Sequence, residues 1–211
     1  MAYTQIQVGA IPNYQPGEQN QTGGPQGEGY VSELLPKYTS LARQGKIIKY
    51  VAPAVTLAYL HLGTATAQAF ALENPVNSGV NAFFLWTSVG FLTGTTVIGA
   101  LVWAMQNMSV YPPTSPTAAT AVNANPMFSV GQVVPYSALT YAASSSPTVM
   151  DLVLPTPTTS TAYNSLITKD HGGGLVLPPG YVAFLGQLTA AAAAGSAEVA
   201  WIELPVPPSA Y

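Results

Sequence analysis

From Gly45 onward the chain falls into short apolar runs separated by glycine, proline and small polar residues. KIIKYVA and AVTLAYLHL stand on either side of Pro53, and AQAFALE follows. Later runs are MFSVGQVVPY (127–136), TVMDLVL (148–154), LVLPPG (175–180), YVAFLGQL and AEVAWIELPV. β-Branched and aromatic residues dominate these runs and turn-forming residues bound them, which predicts strands rather than helices. Asn74-Pro75-Val76-Asn77-Ser78-Gly79 has the chemistry of a turn, and YPPTSPT, NANP, SSSP and LPTPTTST interrupt the chain further on. TAAAAAGS, ahead of the last run, is expected as a loop or short helical turn. Pro205, Pro207 and Pro208 prevent the last strand from continuing as an interior strand. Many short strands with turn signals at this spacing predict an all-β fold, a jelly roll or β-sandwich.

One run needs separate treatment. AFFLWTSVGFLTGTTVIGALVWAM, residues 82–105, carries no charge, has Trp86 and Trp103 near its ends, and spaces Gly90 and Gly94 as GxxxG. About 20 apolar residues suffice to cross a bilayer, and GxxxG lets helices approach closely. The composition argues otherwise. NAFFLWTSVGFL and TVIGALVWAMQ divide as two strands joined at Thr93-Gly94-Thr95, and glycines weaken a helix through both halves. The nearest basic residues are Lys49 and Lys169, so no charge asymmetry orients a span. The prediction is two buried strands, the inner face meeting the core and the outer face able to meet a neighbour in an oligomer, and no membrane span.

Residues 1–36 are rich in Gln, Gly, Pro and Asn, above all QPGEQNQTGGPQGEGY (15–30), which has no apolar periodicity. They are expected as an extended N-terminal arm ordered only where it lies on a partner, followed by a jelly-roll domain over 37–211. The first residues lack both a basic and an apolar signal region, so a cleaved signal peptide is not expected. KYTSLARQGKIIKY (37–50) holds Lys37, Arg43, Lys46 and Lys49, four of the five basic residues. It reads as a solvated turn before the first strand, with a docking patch for an acidic protein surface as the sharper reading.

Only 6% of residues are charged, against roughly 25% in ordinary globular proteins. A chain whose outer faces are covered by neighbours has less need of solubilising charge. The net charge of −3 gives no broad basic surface for nucleic acid. With no cysteine there is neither a disulfide framework nor a thiolate metal site.

Candidate chemistry is sparse. Asp170-His171-Gly172-Gly173-Gly174 resembles the oxyanion-hole loop of some lipases, but no G-x-S-x-G occurs in the chain, and the segment reads as a loop before LVLPPG. His61, in AYLHLGT, has no second histidine or acidic residue at ligand spacing and reads as a hydrogen-bonded strand residue. Glu198 and Glu203 bracket Trp201. Alternation puts Glu203 on the face of Val199 and Trp201 and Glu198 on the other, so the two do not face each other as a glycosidase pair does. No phosphate loop GxxxxGK[ST] is present. No catalytic, cofactor-binding or metal-ligating residue is assigned, no cofactor is expected, and the chain is read as not an enzyme. The 12 tyrosines and three tryptophans read as core or interface, with a glycan platform as the alternative.

Ser40-Leu41-Ala42-Arg43-Gln44-Gly45-Lys46, then Leu72-Glu73-Asn74-Pro75 with Ser78-Gly79 opening an apolar strand, then IGALVWAM and a closing LxLxPG…W segment, resemble a group of bacteriophage virion proteins. The resemblance covers residues 40–204 and leaves the arm outside; Glu73 and Val80 depart from its pattern. It implies a single jelly roll assembling as a homotrimer on the outside of a tailed-phage head, as a capsid decoration or cement protein. The expected partners are further copies of this chain and the phage major capsid protein, the latter in part through the arm, with no nucleic acid and no membrane. The expected place is the virion's capsid surface, after synthesis in the host cytoplasm. A jelly-roll major capsid protein of a tailless phage, a glycan-binding head fibre or adhesin, and a membrane-inserted virion protein spanning at 82–105 are the alternatives.

Overall fold

A computed structural model of the chain describes residues 38–57, 60, 68–94, 100–108, 117–140, 148–154, 166–188 and 193–207. The arm and His61 lie outside the described residues. In chain order the elements are α1 (Thr39–Arg43), β1 (Ile47–Leu57), β2 (Gln68–Asn74), β3 (Val80–Gly94), β4 (Leu101–Asn107), β5 (Thr117–Ala118), β6 (Val122–Asn123), β7 (Val134–Thr140), β8 (Thr148–Leu154), β9 (Ile167–Leu177), β10 (Tyr181–Gln187) and β11 (Ala193–Pro205).

Two antiparallel sheets result, ordered β6-β1-β11-β3-β9 and β5-β7-β2-β10-β4-β8. Pairing is nested: β1 joins β11, β2 joins β10, β3 joins β9 and β4 joins β8. First strand with last, second with second-last, and each long pair followed by a change of sheet is the winding of a jelly roll. β7 extends one sheet beyond β2, and the two-residue strands β5 and β6 finish one side. The chain is an all-β sandwich.

The uncharged run 82–105 becomes β3 and most of β4, which lie in different sheets. Residues 101–106 are buried without a break. Leu101, Trp103 and Met105 face the core between the sheets, with Phe70, Leu72 and Leu185. Val102 and Ala104 belong to a second cluster with Ala71, Val182 and Phe184. Both faces of β4 are therefore covered within the chain itself. No helix among the described residues is long and apolar enough to cross a membrane. On the other sheet α1 lays Leu41 and Ala42, with Tyr38, over Ile47, Leu85 and Ala200, so part of the expected solvated turn is a packed helix.

An aromatic file crosses the interior. Tyr50 of β1 stacks on Phe70 of β2 (centroids 5.4 Å apart), Phe70 tilts onto Trp103 (6.0 Å), and Trp103 meets Phe84 of β3 edge to face (5.0 Å). Such offset and edge contacts add to the apolar area that the rings remove from water.

Four local expectations are corrected. Pro53 does not separate two strands; β1 runs through it with a register shift against β11 between Ala52 and Val55, a bulge that accommodates the missing N–H. MFSVGQVVPY is strand only from Val134. Asn125 accepts the Met127 N–H at 3.2 Å and Glu203 accepts those of Gln132 and Val133 at 2.7 and 3.0 Å, so side chains take the bonds that a ladder would. The Asp170–Gly174 segment lies inside β9, not in a loop. The end of TAAAAAGS is already β11. Pro205 closes β11 as expected, because β1 begins opposite Ile202 and leaves the Pro205 position without a β1 partner.

The NPVNSG turn and the LPPG turn, two of the motifs carrying the phage resemblance, meet at one end of the sandwich. Buried Asn74 donates from its side-chain amide to the carbonyls of Val80 (2.8 Å) and Leu177 (2.9 Å), while its main-chain carbonyl accepts the Gly180 N–H (2.8 Å). Asn74→Ala is expected to cost about 1–3 kcal/mol by stranding buried carbonyls. Asn74→Asp should cost more, since a carboxylate would face two carbonyl oxygens. Urea unfolding at one fixed protein concentration checks the order, and equal losses would mean that the amide is not the tie.

Candidate functional site

Among the described residues a dense set of polar side chains sits where β3 and β9 of one sheet face β4 and β8 of the other. β9 alternates here. Asp170 points outward to accept the Tyr38 hydroxyl (2.8 Å), whereas Lys169 and His171 turn toward β8. The ladder with β3 then jumps from Trp86–Asp170 to Phe84–Leu175. Gly172 (φ 58°) and Gly173 (φ 82°) take up the excess in left-handed conformations that side chains rarely adopt. The bulge seats His171 with its ring edge-on to Phe84, 6.2 Å between centroids.

The His171 side chain is almost wholly buried and uses both ring nitrogens. Nδ1 lies 2.6 Å from Asp151 Oδ2 on β8, and Nε2 lies 2.9 Å from Thr87 Oγ1 on β3. Trp103 Nε1 on β4 donates to the same Thr87 oxygen at 2.9 Å. The donors fix the proton positions. Trp103 can only donate, and an ionised Asp151 can only accept. Nδ1 therefore carries the hydrogen, and Nε2 accepts from the Thr87 hydroxyl. Asp151 also accepts from Lys169 Nζ (2.9 Å), which donates again to the Leu152 carbonyl (2.8 Å).

Burial pushes the His171 pKa below its usual value and outweighs the upward pull of the hydrogen bond and charge of Asp151. For Asp151 burial acts upward, but the hydrogen bonds and charges of Lys169 and His171 prevail and hold the carboxyl below its ordinary range. A neutral imidazole beside an ionised carboxylate follows from both directions.

Acid, imidazole and hydroxyl stand in the order used by hydrolases to activate a nucleophile. The chemistry does not follow here. Thr87 is fully buried, and its oxygen is already engaged by Trp103 and His171. A nucleophile must meet a carbonyl within about 3–3.5 Å, and none can enter. An open cleft of about 360 Å³ is lined by Met150, Asp151, Lys169, Asp170, His171, Gly174 and Leu175, and Thr87 and Trp103 are not among its lining residues. The arrangement joins two sheets. It links Thr87 and His171 in one to Trp103 and Asp151 in the other, and holds the sandwich closed along the β8–β9 side.

Glu203 accepts from Trp201 Nε1 at 3.0 Å as well as from the 132–133 backbone, which places it on the Trp201 face as alternation predicts. Glu198 stands between Val51 and Ser88 of the flanking strands, with Val51 exposed, so the two carboxylates serve different faces. Of the basic group, Arg43 closes α1, Lys46 precedes β1 and Lys49 lies within it; Lys37 falls outside the described residues. Among the described residues no cluster of three or more His, Asp or Glu side chains could hold a metal ion.

The Asp151–His171–Thr87–Trp103 network is not apparent from motif spacing, since its members come from four strands. Two signals were present. A lone aspartate sits inside the apolar strand TVMDLVL, and a charge in such a strand needs a partner. Lys169 and His171 share one face of a period-two alternation. No family model, no curated protein and no solved structure matches this chain.

Proposed function

We propose that this chain is a structural protein of a virus particle, a decoration or cement protein that forms a homo-oligomer, a trimer, on a bacteriophage head and stabilises it. The observation that carries the reading is apolar surface on a domain with almost no charge. In the loop before β7, Met127 is 89% exposed and Phe128 and Val130 about half, and β8 shows Val149, Met150 and Leu152. Single exposed apolar residues are ordinary, but consecutive ones on a chain with 6% charge call for cover. Stable interfaces bury about 1,200–2,000 Å² in total, and at about 25 cal/mol per Å² of apolar area such patches supply the gross driving force. Ordering the partners offsets part of it.

Jelly rolls serve viral capsids, lectins and cupin enzymes alike, so the fold alone does not choose among them. The polar side chains of the Asp151–His171 cluster are spent on one another, which favours a scaffold over a catalyst. Repeated copies on a symmetric shell make weak individual contacts cooperative.

The test is light-scattering mass followed by binding to empty heads lacking the protein. A trimer of three 21.9 kDa chains, about 66 kDa, that docks on heads supports decoration. Removing residues 1–36 should abolish docking and leave the fold. Spontaneous closed shells would favour the major capsid reading instead, and a monomer that ignores heads would overturn both.

A further inference from the structure

The apolar loop before β7 is exposed but firmly held. Asn123 donates from its side-chain amide to the carbonyls of Gly45 (2.8 Å) and Ser129 (3.0 Å), and its side-chain oxygen accepts the Asn125 N–H (2.9 Å). Main-chain bonds run from the Ala124 N–H to Ile47 and from the Phe128 N–H to Asn125, and Glu203 holds the far end. The Phe128 ring fills the space over Gly45 where a side chain would stand. Even so, Pro126, Met127, Phe128, Ser129 and Val130 are all exposed. A loop fixed in this way has already given up the freedom that binding removes, and methionine and aromatic side chains are enriched at interfaces.

The free charges beside this loop are of one sign. Arg43 and Lys46 flank Gly45 in the chain, and both are exposed. Among the described residues neither has an acidic partner within ion-pair distance. Glu203, the acid that touches the loop, is engaged by the Gln132 and Val133 N–H groups and by Trp201. The surface is apolar with a basic rim, and it fits an apolar segment that carries acids.

The arm contains such a segment. Residues 1–36 hold Glu18, Glu28 and Glu33 and no Lys, Arg or His. Within them EGYVSELL (28–35) sets Tyr30, Val31, Leu34 and Leu35 beside two of these acids, whereas Ile6, Val8 and Ile11 have no acid among them. Reach decides which copy supplies it. Tyr38 lies against Trp86 on β3 (5.6 Å) and bonds Asp170 on β9. The loop follows β6, on the far side of β1, and β11 separates β1 from β3. Adjacent strands stand about 4.8 Å apart, so β3 to β1 alone is about 10 Å. The same chain's Leu35 and Leu34, three and four residues from Tyr38, extend about 10–14 Å and run out near β1, with nothing left to turn over the loop. A second copy's segment is not tethered to this Tyr38.

We propose that residues 28–35 of a second copy dock on the 126–130 loop, with their leucines set against Met127 and Phe128 and with Glu28 and Glu33 toward Arg43 and Lys46. The contact is made by side chains, so it does not draw on the main-chain bonds that fix the loop. Repeated head to tail, donor to acceptor, it closes a ring such as the trimer proposed above. The proposal rests on that oligomer reading and names the surface that joins its members.

The chain has no cysteine, so introduced thiols report cleanly. Full-length Leu34→Cys protein is mixed with full-length Val130→Cys protein under mild oxidation. The control acceptor is Leu166→Cys, exposed at the end of the sheet away from the Glu203–Ala82 pairing. Mixed disulfide should form about tenfold more with Val130→Cys, because docking raises the local concentration of the donor thiol. Met127→Asp in the acceptor should reduce it severalfold without moving the thermal midpoint. Arg43→Glu with Lys46→Glu should reduce it likewise, and Glu28→Lys with Glu33→Lys in the donor should restore it; loss without restoration would overturn the match of acid to base. An oligomer by light scattering with equal cross-linking at both positions would overturn the arm placement and leave the oligomer reading standing. Cross-linking confined to the Leu34→Cys/Val130→Cys double variant, within one chain, would overturn exchange between copies. Head binding lost in Met127→Asp while the oligomer persists would overturn the arm as occupant and assign the surface to the shell protein. A monomer at every concentration would overturn the oligomer reading, and this proposal with it.

Discussion

Replacing Trp103 with alanine is expected to lower the free energy of unfolding by about 3–5 kcal/mol, the range for deleting a large buried aromatic. Trp103 is fully buried at the centre of the aromatic file, touching Phe84 and Phe70, and its indole N–H fills one acceptor position of Thr87. Alanine removes the ring contacts, leaves a cavity between the sheets and deprives the Thr87 oxygen of a donor. Domains hold about 5–15 kcal/mol in total, so the variant should stand near the edge of folding at 37 °C. Trp103→Phe separates the contributions. It keeps most of the apolar volume but loses the donor, and should cost about 1–3 kcal/mol. Urea unfolding followed by circular dichroism decides, at one protein concentration because self-association would add to apparent stability. A loss below about 1 kcal/mol for alanine would mean that the file is not the structural centre.

Trp103 also shows why some of this fold was legible in the chain and some was not. In β3, β4 and β11 the apolar pattern, glycine placement and proline stops are local properties. They predicted the strands at 82–105, the face shared by Trp201 and Glu203, and the end at Pro205. The NPVNSG turn was equally local. What the pattern could not supply was the identity of distant partners. The segment 127–133 has strand composition, yet Glu203, far along the chain, takes its backbone N–H groups and holds it as a loop. Pro53 looked like a break because a bulge that absorbs it depends on β11. The GGG after His171 looked like a loop because flexible glycine and a bulge within a strand have the same composition. His171 itself drew attention as a possible oxyanion motif, while its partner Asp151 lay twenty positions back in a strand that seemed merely apolar.

The same pair gives stability a pH dependence whose sign is set by burial of His171, which outweighs the hydrogen bond and charge of Asp151. Neutral His171 accepts the Thr87 hydroxyl at Nε2; a proton there would turn two donors toward each other and force the Thr87 hydrogen to seek another acceptor. Burial, with a smaller contribution from the Lys169 charge, holds the His171 pKa below the ordinary 6.5 that the unfolded chain would show. Below about 6.5 the unfolded chain therefore binds more protons than the folded one, and stability falls with pH until the folded imidazole titrates as well. Asp151 on β8 and Thr87 on β3 bond His171, Trp103 on β4 bonds Thr87, and the charges of Lys169 and Asp170 on β9 act on the imidazole from its own strand. Asp151, depressed below 3.8, acts in the same direction in a lower window: its contribution is full above about 4 and is lost on further acidification. The thermal midpoint of the unaltered protein should thus drop between pH 7 and pH 5 and drop again below pH 4. His171→Phe should be less stable at pH 7 but nearly level from 7 to 5. The chain has one other histidine, His61, so His61→Gln is the control and should keep the upper drop. Scanning calorimetry of the three proteins across that range decides the assignment. A drop that survives in His171→Phe and vanishes in His61→Gln would move the switch to His61 and leave the Asp151–His171 pair a pH-independent tie between the sheets.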